Sequence, residues 1–290
     1  MVTRLLLLEG LRLALKKYER RARRYYLTRR QVLTFEYANR MWLFVLVVAV
    51  ILLGAAELGL RIGFRLHAKR DEARKSQIGG VQAAVLGLLG LLLGFTFAMA
   101  VARHEARRGM VLQEANTIGT TWLRAGLLPE GHQAPVKELL RHYVDVRIKF
   151  RELSNDRARL AEGTRESAQI QKALWAHAEA AAKESPTPIV VSFISSLNDL
   201  IDTDADRQDA GRNHIPETVW VLVVFVAAFG CLTSAYGSGA QGARSNFTSF
   251  FLPLLLAIVI GLIFDIDHSL QGVIGVSQQP MLELKATIAP

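Results

Sequence analysis

The chain has 290 residues, 51% of them hydrophobic, with 35 Lys and Arg against 26 Asp and Glu and a formal charge of +9. Its single cysteine, Cys231, excludes an intrachain disulfide and a cysteine-based metal site. The basic excess would suggest nucleic acid in a soluble chain, but most Lys and Arg here lie beside long apolar runs. Membrane topology and anionic lipid account for them there, so the expected partner is the lipid bilayer and no nucleic acid.

Residues 1–40 carry 11 Lys and Arg, three acids, and leucines at 5–8, 11, 13 and 15. This reads as a basic amphipathic N-terminal segment, either lying on anionic lipid or simply solvated. Glu9 and Arg12 interrupt its leucines too early for a cleavable signal peptide. Two apolar runs follow, Met41–Leu60 and Ile78–Ala102, joined by the basic connector 61–77. Two more, Val219–Tyr236 and Phe247–Phe264, come after a long polar stretch. A helix needs about 20 residues to cross roughly 30 Å of hydrocarbon, and each run meets that length. Only Glu57 charges the first run, and the other three hold no charge. A soluble core helix would show a polar face with helical period, and these do not.

The second run continues past Ala102, and the long helix is expected to break near Gly109 or at Leu128–Pro129. Pro135 is read as the first position of a new helix. In that helix Val136, Leu139, Leu140, Tyr143, Val146 and Phe150 recur at 3.6 spacing. Residues 165–184 suit a third helix, ended by Pro186 and Pro188. A fourth has Val190, Val191, Ile194, Leu197, Leu200 and Ile201 as its expected buried stripe. Trp220, after Pro216, stands where an interfacial aromatic belongs. No alternating strand pattern of useful length occurs. The fold class is therefore an all-α membrane protein: four transmembrane helices with a helical soluble domain inserted between the second and third. The segments are 1–40, the paired spans 41–102, the helical domain 103–216, the paired spans 217–266, and a C-terminal tail 267–290.

Orientation turns on the first forty residues. With both termini inside, 13 basic residues flank the inner ends of the spans and 7 the outer ends; without residues 1–40 the balance is 7 against 7. A cytoplasmic soluble domain is expected if that segment counts.

The second run carries the most suggestive pattern. Ala83, Gly87, Gly90, Gly94 and Ala98 share one helical face, which lets another backbone approach closely. Leu88, Leu92, Phe95 and Met99 form a neighbouring bulky stripe. In a ring of identical chains the small faces would pack and the bulky ones point to the axis, making a hydrophobic constriction; ordinary helix packing with lipid-facing leucines gives the same spacing. Three acids are further candidates. Glu57 serves either a functional role or a pair with Arg61 near the interface. Asp265 and Asp267 end the fourth run, as a cation or gating site or as solvated acids.

Other motifs fail on context. Gly237, Gly239 and Gly242 spell G-x-G-x-x-G but follow a membrane run, so they read as a tight turn between spans. Asp202, Asp204 and Asp206 open like a calcium loop, but Arg207 and Asn213 stand where glycine and glutamate are required, so a solvated helix end is expected. No catalytic constellation, metal site or cofactor motif is found, and an enzyme is not expected.

Four separated blocks, RRGMVLQEANTIGTTWLRAGLLP, LLRHYVDVR, ADRQDAGRNHIPETVW and FDIDHSLQGVIGVSQQPML, follow the Gly-rich second run in that order, within a match that covers roughly residues 41–284. In these the chain resembles the bestrophin-like family of membrane proteins, described as a domain of unknown function and distantly similar to the bestrophins. Bestrophins are pentameric anion channels with four spans, cytosolic termini and a helical domain between spans two and three. Their second span carries an L-G-F-Y-V stretch whose phenylalanines line a narrow neck. By resemblance, Leu93-Gly94-Phe95-Thr96-Phe97 stands in that place. Phe95 is then a neck residue, with Leu91 at the preceding ring and Gly87 one ring further back. Those two departures widen the neck, and the acidic calcium-binding segment of animal bestrophins has no clear counterpart.

The resemblance implies an oligomeric ion channel for anions such as chloride, in the bacterial inner membrane. Arg103, Arg107 and Arg108 would concentrate anions at the pore mouth. The competing expectation is a non-conducting scaffold or sensor whose helical domain binds a partner, sensitive to surface changes near Glu114, Arg124 or Arg141.

Overall fold

The structure is a computed structural model and describes residues 41–65, 72–153, 157–268 and 274–289. All lie within the compact unit Met41–Pro290. The basic segment expected over residues 1–40 falls outside the described residues, as does the orientation it would set.

The first helix, α1, runs Met41–Arg65. α2 spans Glu72–Ala125, α3 Glu130–Leu153, α4 Arg157–Glu184 and α5 Pro188–Arg212. α6 spans Glu217–Ala240, a π-helical turn at Phe247–Phe251 leads into α7, Leu252–Asp267, and α8 spans Gln279–Thr287. Among the described residues there is no strand, and four helical stretches are long and apolar enough to cross a membrane. They contain the four runs expected.

Two apolar cores form. One joins Leu52, Ala56, Leu60, Leu89, Val223, Ala227 and Ile260 from the membrane helices. The other joins Ile118, Leu140, Leu174, Phe193 and Leu197 from the soluble bundle. α2 belongs to both, packing on α6 and α7 in the first and on α5, α3 and α8 in the second. It does not break at Gly109. A Cβ there would meet nothing within 4 Å, so the glycine is merely a residue of low helix propensity in a long helix, costing about 1 kcal/mol. The break comes at the second expected place, where Gly126, Leu127 and Leu128 close turns onto Leu123, Arg124 and Ala125.

Several finer expectations are corrected. Pro135 lies inside α3, not at its start, since the helix begins at Glu130; so near the N-terminus a proline costs a single ladder bond. On α5, Val191 is exposed, and the stripe turns instead through Val190, Phe193, Leu197 and Leu200. Trp220 is buried, stacked edge-on to Phe44 and Phe264, so it closes the bundle end and does not form an exposed belt. Gly237 and Gly239 belong to α6, and the turn uses only Gly242, at φ 73°. Gly239 is needed because α1 passes there: a Cβ would come within 3.2 Å of Gly63 Cα. The C-terminal stretch is not a tail. In α8, Met281 is buried in the soluble core and Lys285 Nζ lies 2.6 Å from Asp145 Oδ1.

Candidate functional site

At 100° per residue α2 presents three faces within the bilayer. Leu89, Thr96 and Ala100 face the membrane core and are buried. Thr96 Oγ1 donates to the Leu92 carbonyl one turn back, which satisfies its hydroxyl without a partner helix. Leu88, Leu91, Leu92, Phe95 and Met99 fall within about 100° of the circumference on another side. Of these, Leu91 and Phe95 are 56% and 60% exposed, Leu88 and Met99 are exposed, and Leu92 packs partly on the membrane core. The third face is glycine-rich. A Cβ on Gly87, Gly90 or Gly94 would meet no atom of the described residues within 4 Å, so none of the described helices uses that groove.

The close intrachain approaches use other glycines. At Gly63 a Cβ would lie 2.5 Å from the Tyr236 carbonyl oxygen and 2.8 Å from Ala240 N, so α1 and α6 touch backbone to backbone. Gly59 meets the Leu232 backbone in the same seam. At the end of that seam away from the soluble bundle, Glu57 pairs with Arg61 Nε at 2.9 Å and with Arg244 Nη2 at 3.3 Å. This is the pair with Arg61 that the spacing allowed, joined by Arg244 from the loop after α6.

The three arginines beyond the span separate. Arg103 is half-buried and Arg108 is exposed, 3.6 Å from Glu105. Arg107 is only 3% exposed. Its Nε donates to the Ala210 carbonyl at 3.0 Å, Nη1 to that of Asp267 and Nη2 to that of Asn213, both at 2.7 Å. It therefore clamps α2 to the end of α5 and the end of α7. Asp265 and Asp267 are buried rather than solvated, because they cap loops: Asp267 Oδ2 accepts from Ile215 N at 3.0 Å and Asp265 Oδ2 from Ile274 N at 2.9 Å. His214, Asp267 and His268 bring possible metal-ligand atoms within 4.8 Å of one another. His214 Nδ1, however, sits 3.2 Å from the Arg107 guanidinium, a cation that would repel a metal ion. The chemistry of that corner does not fit a metal.

A second charged cluster lies inside the soluble bundle. Glu114, expected at the surface, is fully buried. Arg147 Nε stands 2.6 Å from its Oε1, Arg147 Nη1 stands 2.7 Å from Asp204 Oδ1, and Arg207 pairs with Glu114 Oε2. Gln171 donates to Asp204 at 2.7 Å, and Tyr143 OH to Glu114 at 3.4 Å. Asp204 is thus the core of an ion network and not part of a solvated helix end. Of the other two expected surface residues, Arg124 donates to the Ser192 carbonyl and Arg141 to that of Ile288, each half-buried. The available signal for the network was Arg147, four residues after Tyr143 on the apolar stripe of α3.

Burial would oppose the Arg147 charge, but Glu114, Tyr143 and Asp204 together hold its pKa above the ordinary value. Burial also raises the Tyr143 hydroxyl; Arg147 pulls against this, and Glu114 and Asp204 add to it. A raised folded-state pKa stabilises fully below the ordinary value and is lost above it. The Tyr143 contribution is therefore complete up to about pH 10 and declines beyond. Denaturation midpoints measured from pH 7 to 11 should fall above pH 10, and Tyr143→Phe should flatten that fall; an identical decline in the variant rejects the assignment.

A family model described as Bestrophin-like domain matches residues 48–281. The chain belongs to the bestrophin-like family. The fold of this bestrophin-like chain is similar to a crystal structure of a bacterial bestrophin homologue from Klebsiella pneumoniae carrying a point mutation. That similarity has a TM-score of 0.54 at 12% identity, covering 86% of this chain and 96% of that one. At such identity the likeness speaks for the fold alone. No curated protein matches the chain.

Proposed function

We propose that the bestrophin-like chain assembles as a homo-oligomeric ion channel, conducting anions such as chloride, with α2 lining the pore. The observation that carries this reading is the exposed Leu88–Leu91–Phe95–Met99 face beside an unfilled glycine groove on the same membrane helix. In a ring, a neighbour fills the groove and the bulky face turns to the axis as a hydrophobic neck. Five copies are expected from the resemblance to bestrophins. Arg103 and Arg108 supply the charge at the mouth, and Arg107, held by three carbonyls, shapes the wall behind them. The bacterial inner membrane is the proposed location, with the soluble bundle in the cytoplasm.

Planar-bilayer recording of purified full-length protein tests the reading. Unit currents should reverse near the chloride equilibrium potential in a KCl gradient, and Phe95→Ala should raise the conductance. No current, or a conductance indifferent to Phe95, defeats the pore. The scaffold reading draws on the exposed apolar tip of the bundle, Leu123, Leu127, Ile189 and Val191. It predicts a stable oligomer that carries no current.

A further inference from the structure

A cavity of about 200 Å³ opens where the soluble bundle meets the ends of the membrane helices. Arg107, Arg147, Arg207, Arg212, His214 and His268 line it, and among the described residues no carboxylate does. The acids that offset these arginines stand behind them: Glu114 faces Arg147 and Arg207, Asp204 faces Arg147, and Asp267 lies beneath Arg107. Arg212 is exposed at the cavity rim at the last turn of α5. Arg107, Arg147 and Arg207 already donate to or pair with protein carbonyls and side chains, so they set the charge of the wall, and Arg212 is the exposed guanidinium that offers its fork at the rim, where charge-assisted hydrogen bonds are strong.

Size and wall chemistry narrow the ligand. At about 30 Å³ per water the cavity holds roughly half a dozen waters, far more than a halide needs. Phe150, Leu160, Val111 and Val276 supply apolar wall, and the Arg147 guanidinium lies over the Phe150 ring at 4.3 Å. Thr164, Gln208 and Gln278 add neutral polar groups. Arginine forks match carboxylates in two-point contact, and apolar wall suits a hydrocarbon body. We propose that this cavity binds a small organic carboxylate of short-chain size, as a site separate from the membrane neck. Its wall draws on α2, α3, α4, α5, the α5–α6 link, the end of α7 and the segment before α8. A bound ligand therefore bridges the soluble bundle to the membrane helices.

The assignment does not rest on conduction, and its test does not use it. Full-length protein in detergent, at constant NaCl, is titrated with hexanoate, hexanol or inorganic phosphate, followed by calorimetry and by the thermal midpoint. Hexanoate should bind saturably and raise the midpoint, hexanol should not, and phosphate should bind at least tenfold more weakly. Arg212→Gln, at an exposed position, should weaken hexanoate at least tenfold. Leu160→Trp, which fills the cavity, should abolish binding while the midpoint without ligand stays near that of the parent. Arg244→Gln, at the opposite end of the membrane helices, should leave affinity unchanged. Absence of saturable binding, equal affinity for phosphate, or hexanoate affinity unchanged in both Arg212→Gln and Leu160→Trp overturns the proposal.

Discussion

Arg147→Ala should destabilise the protein by about 3–5 kcal/mol, the usual cost of stripping one partner from a buried ion pair. The side chain is 1% exposed and answers two buried carboxylates at 2.6 and 2.7 Å. Without it, among the described residues, Glu114 keeps Arg207 and the long Tyr143 contact, and Asp204 keeps Gln171. Glu114 is fully buried and Asp204 nearly so, within a bundle packed on Leu140, Val144, Leu174 and Leu200. The cost is thus of uncompensated charge more than of a lost contact. It follows that Glu114→Leu/Arg147→Met/Asp204→Leu, which removes the central charges together, should recover most of the stability. Chemical denaturation followed by helical circular dichroism measures both. A loss below about 1 kcal/mol for Arg147→Ala would show that the network is solvated, as surface pairs are.

The second large effect belongs to the α1–α6 seam. Gly59→Val combined with Gly63→Val should cost about 3 kcal/mol or more, at the upper end of overpacking penalties. The obstacle in each case is backbone, at Leu232 for Gly59 and at Tyr236 and Ala240 for Gly63, so no rotamer change relieves it. Gly54→Ala on the same helix meets nothing within 4 Å and should not lower stability. Thermal aggregation of the three proteins in detergent separates these outcomes, and a double variant as stable as Gly54→Ala would mean that α1 and α6 do not touch there.

The large elements were legible because their signals are local. An apolar run is read residue by residue, so the four spans and the helical bundle between them could be placed without knowing what they touch. The clamps could not. Arg107 meets the Asp267 carbonyl 160 residues away, and Arg207 meets Glu114 across 93. Charge spacing within one helix says nothing of such partners, so Arg107 looked equivalent to Arg103 and Arg108. Small residues misled similarly. The Gly87–Gly90–Gly94 face advertised close packing, yet the backbone contact within the chain is made by Gly59, Gly63 and Gly239, which are scattered over two helices. Burial of Asp265 and Asp267 was hidden because acids beyond a span ordinarily meet water, and here loop amides reach them first.

The 54 residues of α2 form a rod of about 80 Å without a proline in it. Arg107 ties that rod to the ends of α5 and α7 at one point along its length. It divides the rod into arms of about 27 Å toward Ala125 and about 52 Å toward Glu72. The shorter arm is tied to α5 again by the Glu114–Arg207 pair and by Thr121 and Arg124, which donate to the Ser196 and Ser192 carbonyls, so among the described residues the polar clamps on the rod gather in its soluble third.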